Sequence, residues 1–210
     1  IINSLELYKN SLNFNKFGGR LKYSKLQQVI DKTNSSITSN ITKIIIRRDL
    51  KPILNAPTEY ELCFGNRFHV NSEGFNIKST GFKISGVSET VYFTDVPDKD
   101  KKKGTLSIVN KNGTVVVKSA GTVDYLKGEI IIGISVITST LNTSGVIEIQ
   151  AFPESNDVVG LRDLYLVLST KKSTINILRD VIESGDEISG TQFVNDFYTS
   201  SYSNGSLIRK

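Results

Sequence analysis

Gly104-Thr-Leu-Ser-Ile-Val109, Asn110-Lys-Asn-Gly113 and Thr114-Val-Val-Val-Lys118 decide the class of fold. Two β-branched runs flank four turn-forming residues, and Asn112-Gly113 offers the positive φ angles that a tight hairpin turn needs. Outward from this hairpin the same grammar repeats. Val123-Asp-Tyr125 turns through Leu126-Lys-Gly128 into the apolar strand Glu129-Ile-Ile-Ile-Gly-Ile-Ser-Val-Ile137, and Val146-Ile-Glu-Ile-Gln-Ala151 alternates cleanly. Upstream, strands are expected over 91–93, 74–78 and 59–70, with 81–84 weaker, and over the β-branched run Thr42-Lys-Ile-Ile-Ile-Arg-Arg48. Further upstream still, Leu26, Val29, Ile30 and Thr33 fall at helical spacing, which predicts one helix over 24–32 with Ser24 as cap and Gln27 at capping-box distance. The Asn-rich stretch before Arg20 reads as a linker or docking arm.

Downstream of Pro153, Asp163-Leu-Tyr-Leu-Val-Leu168 reads as a strong strand. Residues 174–178 read as a second strand or a short helix. The polar tail after Ser184 reads as an interaction tail or a disordered one. Short strands separated by regular turns predict a mainly β (α+β) protein: an antiparallel β-sandwich-like domain, one short N-terminal helix and a smaller C-terminal β segment. The expected divisions are 1–50 (arm, helix and first strand), 51–152 (β-sandwich-like domain) and 153–210 (C-terminal β segment and polar tail).

A chain of 210 residues is long enough to bury a core without staples. With 38% hydrophobic and 22% charged residues it fits neither a disordered polyampholyte nor a helical membrane protein. No membrane insertion is expected. The chain opens on Ile1 and has no Met, so it reads as part of a longer or processed protein. One cysteine, Cys63, excludes a disulfide framework and multi-cysteine metal sites. One histidine, His69, excludes two-histidine metal sites. The net charge of +5 is mild, and Asp98-Lys-Asp-Lys-Lys-Lys103 mixes both signs, which argues against a nucleic-acid partner.

Catalytic templates fail in turn. The sequence has no phosphate-cradling glycine loop before a helix, no Gly-x-Ser-x-Gly elbow and no His-Glu-x-x-His helix. Cys63 and His69 share one strand region, where regular geometry holds them roughly 20 Å apart, too far for a nucleophile and its base. Asp98 and Asp100 begin like a calcium loop, but Lys102 stands where an oxygen ligand belongs, so a charged hairpin tip is the better reading. Glu129, Glu148 and Asp124 lie near strands and are the carboxylates a glycosidase reading would use. Tyr60, Phe64, Phe68, Phe75, Phe82, Tyr92 and Phe93 offer either a sugar platform or core packing, and the excess of Phe favours the core. No catalytic residue, metal or cofactor is expected, and the residues by themselves describe a structural or binding module.

Two segments carry a resemblance. Phe17-Gly-Gly-Arg-Leu-Lys-Tyr-Ser-Lys-Leu-Gln-Gln-Val-Ile-Asp-Lys-Thr-Asn-Ser-Ser-Ile37 leads into the basic strand 42–48 and the Leu50-Lys-Pro52 turn. Gly121-Thr-Val-Asp-Tyr-Leu-Lys-Gly-Glu-Ile130 follows in the β-region. Together they resemble the C-terminal part of the large baseplate wedge protein of T-even-like contractile-tailed phages, in the baseplate J-like group. The likeness is best over 14–52 and 87–151. In the second motif Asp124 caps a turn and Gly128 takes a left-handed conformation at its end.

The resemblance implies a structural virion protein of the tail baseplate, assembled in the host cytoplasm and without catalysis. It implies homodimers and contacts with other wedge proteins, joining wedges into a ring around the tail tube. On that reading Tyr23, Leu26, Val29 and Ile30 would pack at the subunit contact. Arg47 and Arg48 would form its rim, or lie on a solvated strand edge. A phage-tail-like particle shares this logic. The alternatives are a glycan-binding β-sandwich of an adhesin and, more remotely, a β-sandwich glycosidase or lyase.

Overall fold

A computed structural model describes residues 1–11, 16–162 and 165–178, together with the strands at 182–183, 191–195 and 205–209. In chain order the elements are α1 (Ile2–Lys9), β1 (Arg20–Leu21), α2 (Tyr23–Asp31), β2 (Ile46–Leu50), β3 (Pro57–Cys63), β4 (Lys78–Ser79), β5 (Phe82–Ile84), β6 (Val91–Pro97), β7 (Lys103–Asn110), β8 (Val115–Asp124), β9 (Glu129–Thr140), β10 (Ile147–Ala151), β11 (Val158–Val159), a 3-10 turn (Thr170–Lys172), β12 (Ile182–Glu183), β13 (Thr191–Asn195) and β14 (Gly205–Arg209). The class is mainly β, as the strand-and-turn grammar predicts, and two helices accompany the strands. Two compact units emerge, Ile1–Thr170 and Lys171–Lys210.

In the first unit the main sheet runs β3-β9-β5-β6-β7-β8, and β8 returns to pair with β9, so five strands close a barrel-like ring. Among the described residues every strand pairing is antiparallel. Closure depends on the length of β9: its first residues, Glu129–Ile132, pair with β8, and its last, Ile137–Thr140, pair with β5. One extra residue of β9 opposite Thr58/Tyr60 shifts the register. The bulge moves the buried phase from Ile130 and Ile132 to Ile137 and turns Ile134 outward, where it is 76% exposed.

A second sheet, β2-β10-β4, shares the same core. Ile147, Ile149 and Ala151 of β10 pack with Leu50, Phe68, Phe82, Phe93, Leu106, Ile108 and Tyr125. Burying aliphatic and aromatic side chains on this scale is the main stabilising term. At its centre Asp95, wholly buried, accepts from the Ile77 N–H (2.7 Å) on one oxygen and from the Tyr125 hydroxyl (2.7 Å) on the other. Burial beside that carboxylate holds the Tyr125 hydroxyl protonated far above the usual tyrosine range.

The 104–118 hairpin forms, but its turn differs from the expected one. Gly113 alone has positive φ (+82°), Gly113 N–H donates to Asn110 O, and Asn110 N–H donates to Thr114 O. This is a three-residue loop ending in a glycine bulge, and Asn110 Oδ1 accepts from the N–H groups of Asn112 and Thr114 to hold it.

Several other expectations are corrected. The strand expected over 74–78 shrinks to Lys78–Ser79, because Gly74 and Phe75 both adopt positive φ. The strand expected over 42–48 pairs only from Ile46 to Leu50, where β10 supplies a partner. The strong strand expected over 163–168 is absent among its described residues, 165–168. Tyr165 makes a single bridge to Phe17. Residues 174–178 form neither strand nor helix. The N-terminal arm carries a helix, α1, anchored by Leu5, so the expected single helix becomes two. In the second unit β12, β13 and β14 form an antiparallel three-stranded sheet in part of the tail that the sequence left open.

Candidate functional site

Among the described residues the aromatic set is mostly core. Phe64, Phe68, Phe82 and Phe93 are buried, and Phe64 meets Phe68 edge-on while Phe82 stacks at a tilt on Phe93. Only Phe75 is exposed. A sugar platform is not assembled from them. The charged run 98–103 forms a hairpin tip: Asp98 N–H donates to Lys103 O, and Lys101 takes positive φ.

Glu61, Cys63 and Glu129 come together at the end of β3 and the start of β9. Cys63 Sγ lies 3.3 Å from Glu61 Oε1 and 3.7 Å from Glu129 Oε1. Desolvation and the two carboxylates raise the thiol's pKa, which makes it a poor nucleophile. Lys127 Nζ sits 3.7 Å from Glu129 Oε2 and partly offsets the acidic charge. The other carboxylates are also engaged. Glu148 is bound by Arg47 and by Asn142 Nδ2 (3.0 Å). Asp124 Oδ1 accepts from the N–H groups of Leu126 and Lys127, and Gly128, at φ +69°, donates its N–H to Asp124 O. A Cβ at Gly128 would overlap the Asn66 carbonyl, so this turn requires glycine twice over.

The better-built surface is the N-terminal module. Helix α2 begins at Tyr23, one residue before the expected cap, and its Ncap, Lys22, makes no side-chain cap bond. Ser24 therefore caps nothing. The Tyr23 N–H donates to Asp157 Oδ1 (2.7 Å), 134 residues away, so a carboxylate from another segment satisfies this helix start. The Tyr23 hydroxyl donates to Thr42 O (2.8 Å), tying the helix to the run that becomes β2. Leu26 is buried with Leu5, Leu21 and Val158, and Val29, Ile30, Ile44 and Ile46 are partly buried around them. Pairing of β1 with β11 and the two bonds between Asn66 and the Val159 backbone hold this module together.

The interface candidates thus divide. Leu26 serves the chain's own cluster, whereas Tyr23, Val29 and Ile30 are partly exposed at its margin. Arg47 lies 3.0 Å from Asp49 (Nε to Oδ1) and 3.3 Å from Glu148 (Nη1 to Oε2), so its charge is largely satisfied within the chain. Arg48 is half-buried on the face of β2 that carries Ile46 and Leu50. Sequence reasoning missed Asp157, because a cap supplied from so far along the chain leaves no local signal. It also missed Asn66 and Leu5, which owe their roles to tertiary contact.

The first part of this module is similar to a known family. Residues 1–49 match the family of baseplate structural protein gp6, C-terminal domain III. No curated protein matches the chain. The matched stretch spans α1, β1, α2 and all but the last residue of β2, and it supports a structural role in a phage tail baseplate, in contact with other baseplate components. Among the described residues no helix is long and apolar enough to cross a membrane.

Proposed function

We propose that this chain is the C-terminal part of a large wedge subunit of a contractile-tail baseplate, of the J-like group. It acts without catalysis, as a homodimer that helps join wedges into the ring around the tail tube, alongside other wedge proteins. The observation that carries this reading is the match of residues 1–49 to a baseplate structural domain. Support comes from the packing of that stretch, whose Leu5, Leu21 and Leu26 form a cluster with Val158 from farther along the chain, and the Asn66 side chain bonds the Val159 backbone beside it. Such a module presents a fixed surface to a neighbour. On this reading 1–50 is the docking segment, 51–152 the rigid β-domain and 153–210 its C-terminal extension. Tyr23, Val29 and Ile30 line the contact, Leu26 holds the helix from beneath, and Arg47 and Arg48 stand at the rim. No observation favours the glycan-binding alternative, since the aromatics it needs are mostly in the core.

The test is location. Antibodies raised against the chain should decorate the baseplate end of negatively stained virions that carry this protein. Label confined to the capsid or the fibres, or absent from particles, would refute the assignment.

A further inference from the structure

The sheet β2-β10-β4 has two edges, and they differ. The β4 edge is closed against β6, where the Phe93 N–H donates to Ser79 Oγ (2.8 Å). The β2 edge is open. Among the described residues no strand pairs with it, and Ile41 to Ile45, which lead into it, make no backbone–backbone hydrogen bond. From 41 to 50 the side chains alternate strictly between exposed and covered, the signature of extended backbone. Among the described residues the result is an edge about 30 Å long whose peptide groups no other strand pairs, with the Thr42 carbonyl taken by the Tyr23 hydroxyl, the kind of template that natural sheets normally hide.

Its outward face carries Ile41 (93% exposed), Lys43, Ile45 (50% exposed), Arg47 and Asp49. Two large aliphatic side chains stand in water, and the Arg47 charge is already held by Asp49 and Glu148. Charged side chains are a common guard on an edge, and here one of the two cations is occupied.

We propose that this edge pairs antiparallel with the same edge of a second copy, joining two three-stranded sheets into one of six across a two-fold axis. The proposal rests on the homodimer reading above and adds the β2 edge to the contact that reading places at Tyr23, Val29 and Ile30. Antiparallel self-pairing places directly opposed residues on one face, so charge selects the register. Centring the axis on residue 43 sets Lys43 against itself, and centring it on 45 sets Lys43 against Arg47. Centring it on Ile46 sets Lys43 against the second copy's Asp49, twice, with Ile45 beside Arg47. Of the registers centred on residues 43 to 46, this one gives opposed unlike charges. The affinity would come from main-chain hydrogen bonds, as in strand addition generally.

The test is hydrogen–deuterium exchange on the whole chain across a concentration series, with mass read in parallel by light scattering. We expect amides within 41–50 to gain protection in step with dimer formation. Lys43→Asp and Asp49→Lys should each weaken the dimer about tenfold, and the double variant should restore it. A dimer without protection at 41–50, or one indifferent to both reversals, overturns the edge assignment and leaves the homodimer intact. A chain that stays monomeric at every concentration overturns both.

Discussion

At the residue scale the fold turns on a few groups whose neighbours leave no freedom. Asp95 accepts two buried hydrogen bonds, and removing it strands both donors. Asp95→Ala is expected to destabilise the first unit by about 2–5 kcal/mol in urea titrations, because each buried unsatisfied donor costs roughly 1–3 kcal/mol. The two turn glycines give a paired test. Gly113 and Gly128 both have positive φ, but Gly113 faces open space while Gly128 faces the Asn66 carbonyl. Gly113→Ala should cost about 1 kcal/mol and Gly128→Ala clearly more. Equal costs would contradict the packing described for that turn.

Three described groups give the chain a pH signature. The folded-state pKa values of Cys63, Tyr8 and Tyr125 are raised above ordinary values of 9.0 for the thiol and 10.0 for the tyrosines. Groups of this kind contribute stability that is fully present below the unfolded pKa and is lost as pH rises toward the folded one. Stability should therefore fall from the ordinary thiol range upward. Cys63→Ser should remove the earlier part of that fall and leave the later, tyrosine part. A stability profile that is flat or rising above the thiol range would contradict these assignments.

At the scale of elements, what was legible in the sequence depended on where the cause lay. The hairpin of β7 and β8, the turn at Asp124–Gly128 and the apolar strand β9 announce themselves, because their causes are local: β-branched runs, Asn and Gly. Helix α1 was invisible, since Ile2–Lys9 buries only Leu5 and has no side-chain cap. The run 42–45 has strand composition yet pairs with nothing, and 165–168 makes one bridge, because a strand needs a partner as well as propensity. Ring closure was hidden for the same reason, since it depends on β9 finding β8 at one end and β5 at the other.

The start of α2 shows the same limit in a form that can be measured. Its capping partner is Asp157, whereas the sequence offers Ser24. Asp157→Ala should lower stability by about 1 kcal/mol, the usual worth of a cap, and Ser24→Ala should change it by less than about 0.5 kcal/mol. Thermal melts of the two variants side by side would decide between them, and the reverse order would restore the local cap.

At the scale of the whole molecule, the first unit is a barrel-like sheet and a smaller sheet on one core, with the family-matched module built onto it through Val158, Asn66 and Asp157. Among the described residues the one thiol is held protonated between carboxylates, and the aromatics are mostly packed inside. That economy suits a part whose work is to hold position against neighbours. The basic pair, the helix face and the glycine turn were all visible in the sequence. The division between residues that pack inward, such as Leu26, and those at the margin, such as Tyr23 and Val29, was not, because spacing marks a face and tertiary contact decides what covers it.

The central claim, that this chain is a self-associating structural part, is tested most directly by its mass in solution, measured by light scattering over a concentration series. A monomer that converts to a dimer as concentration rises is the expected result. A mass that stays at one chain, 23.2 kDa, throughout the series would contradict it.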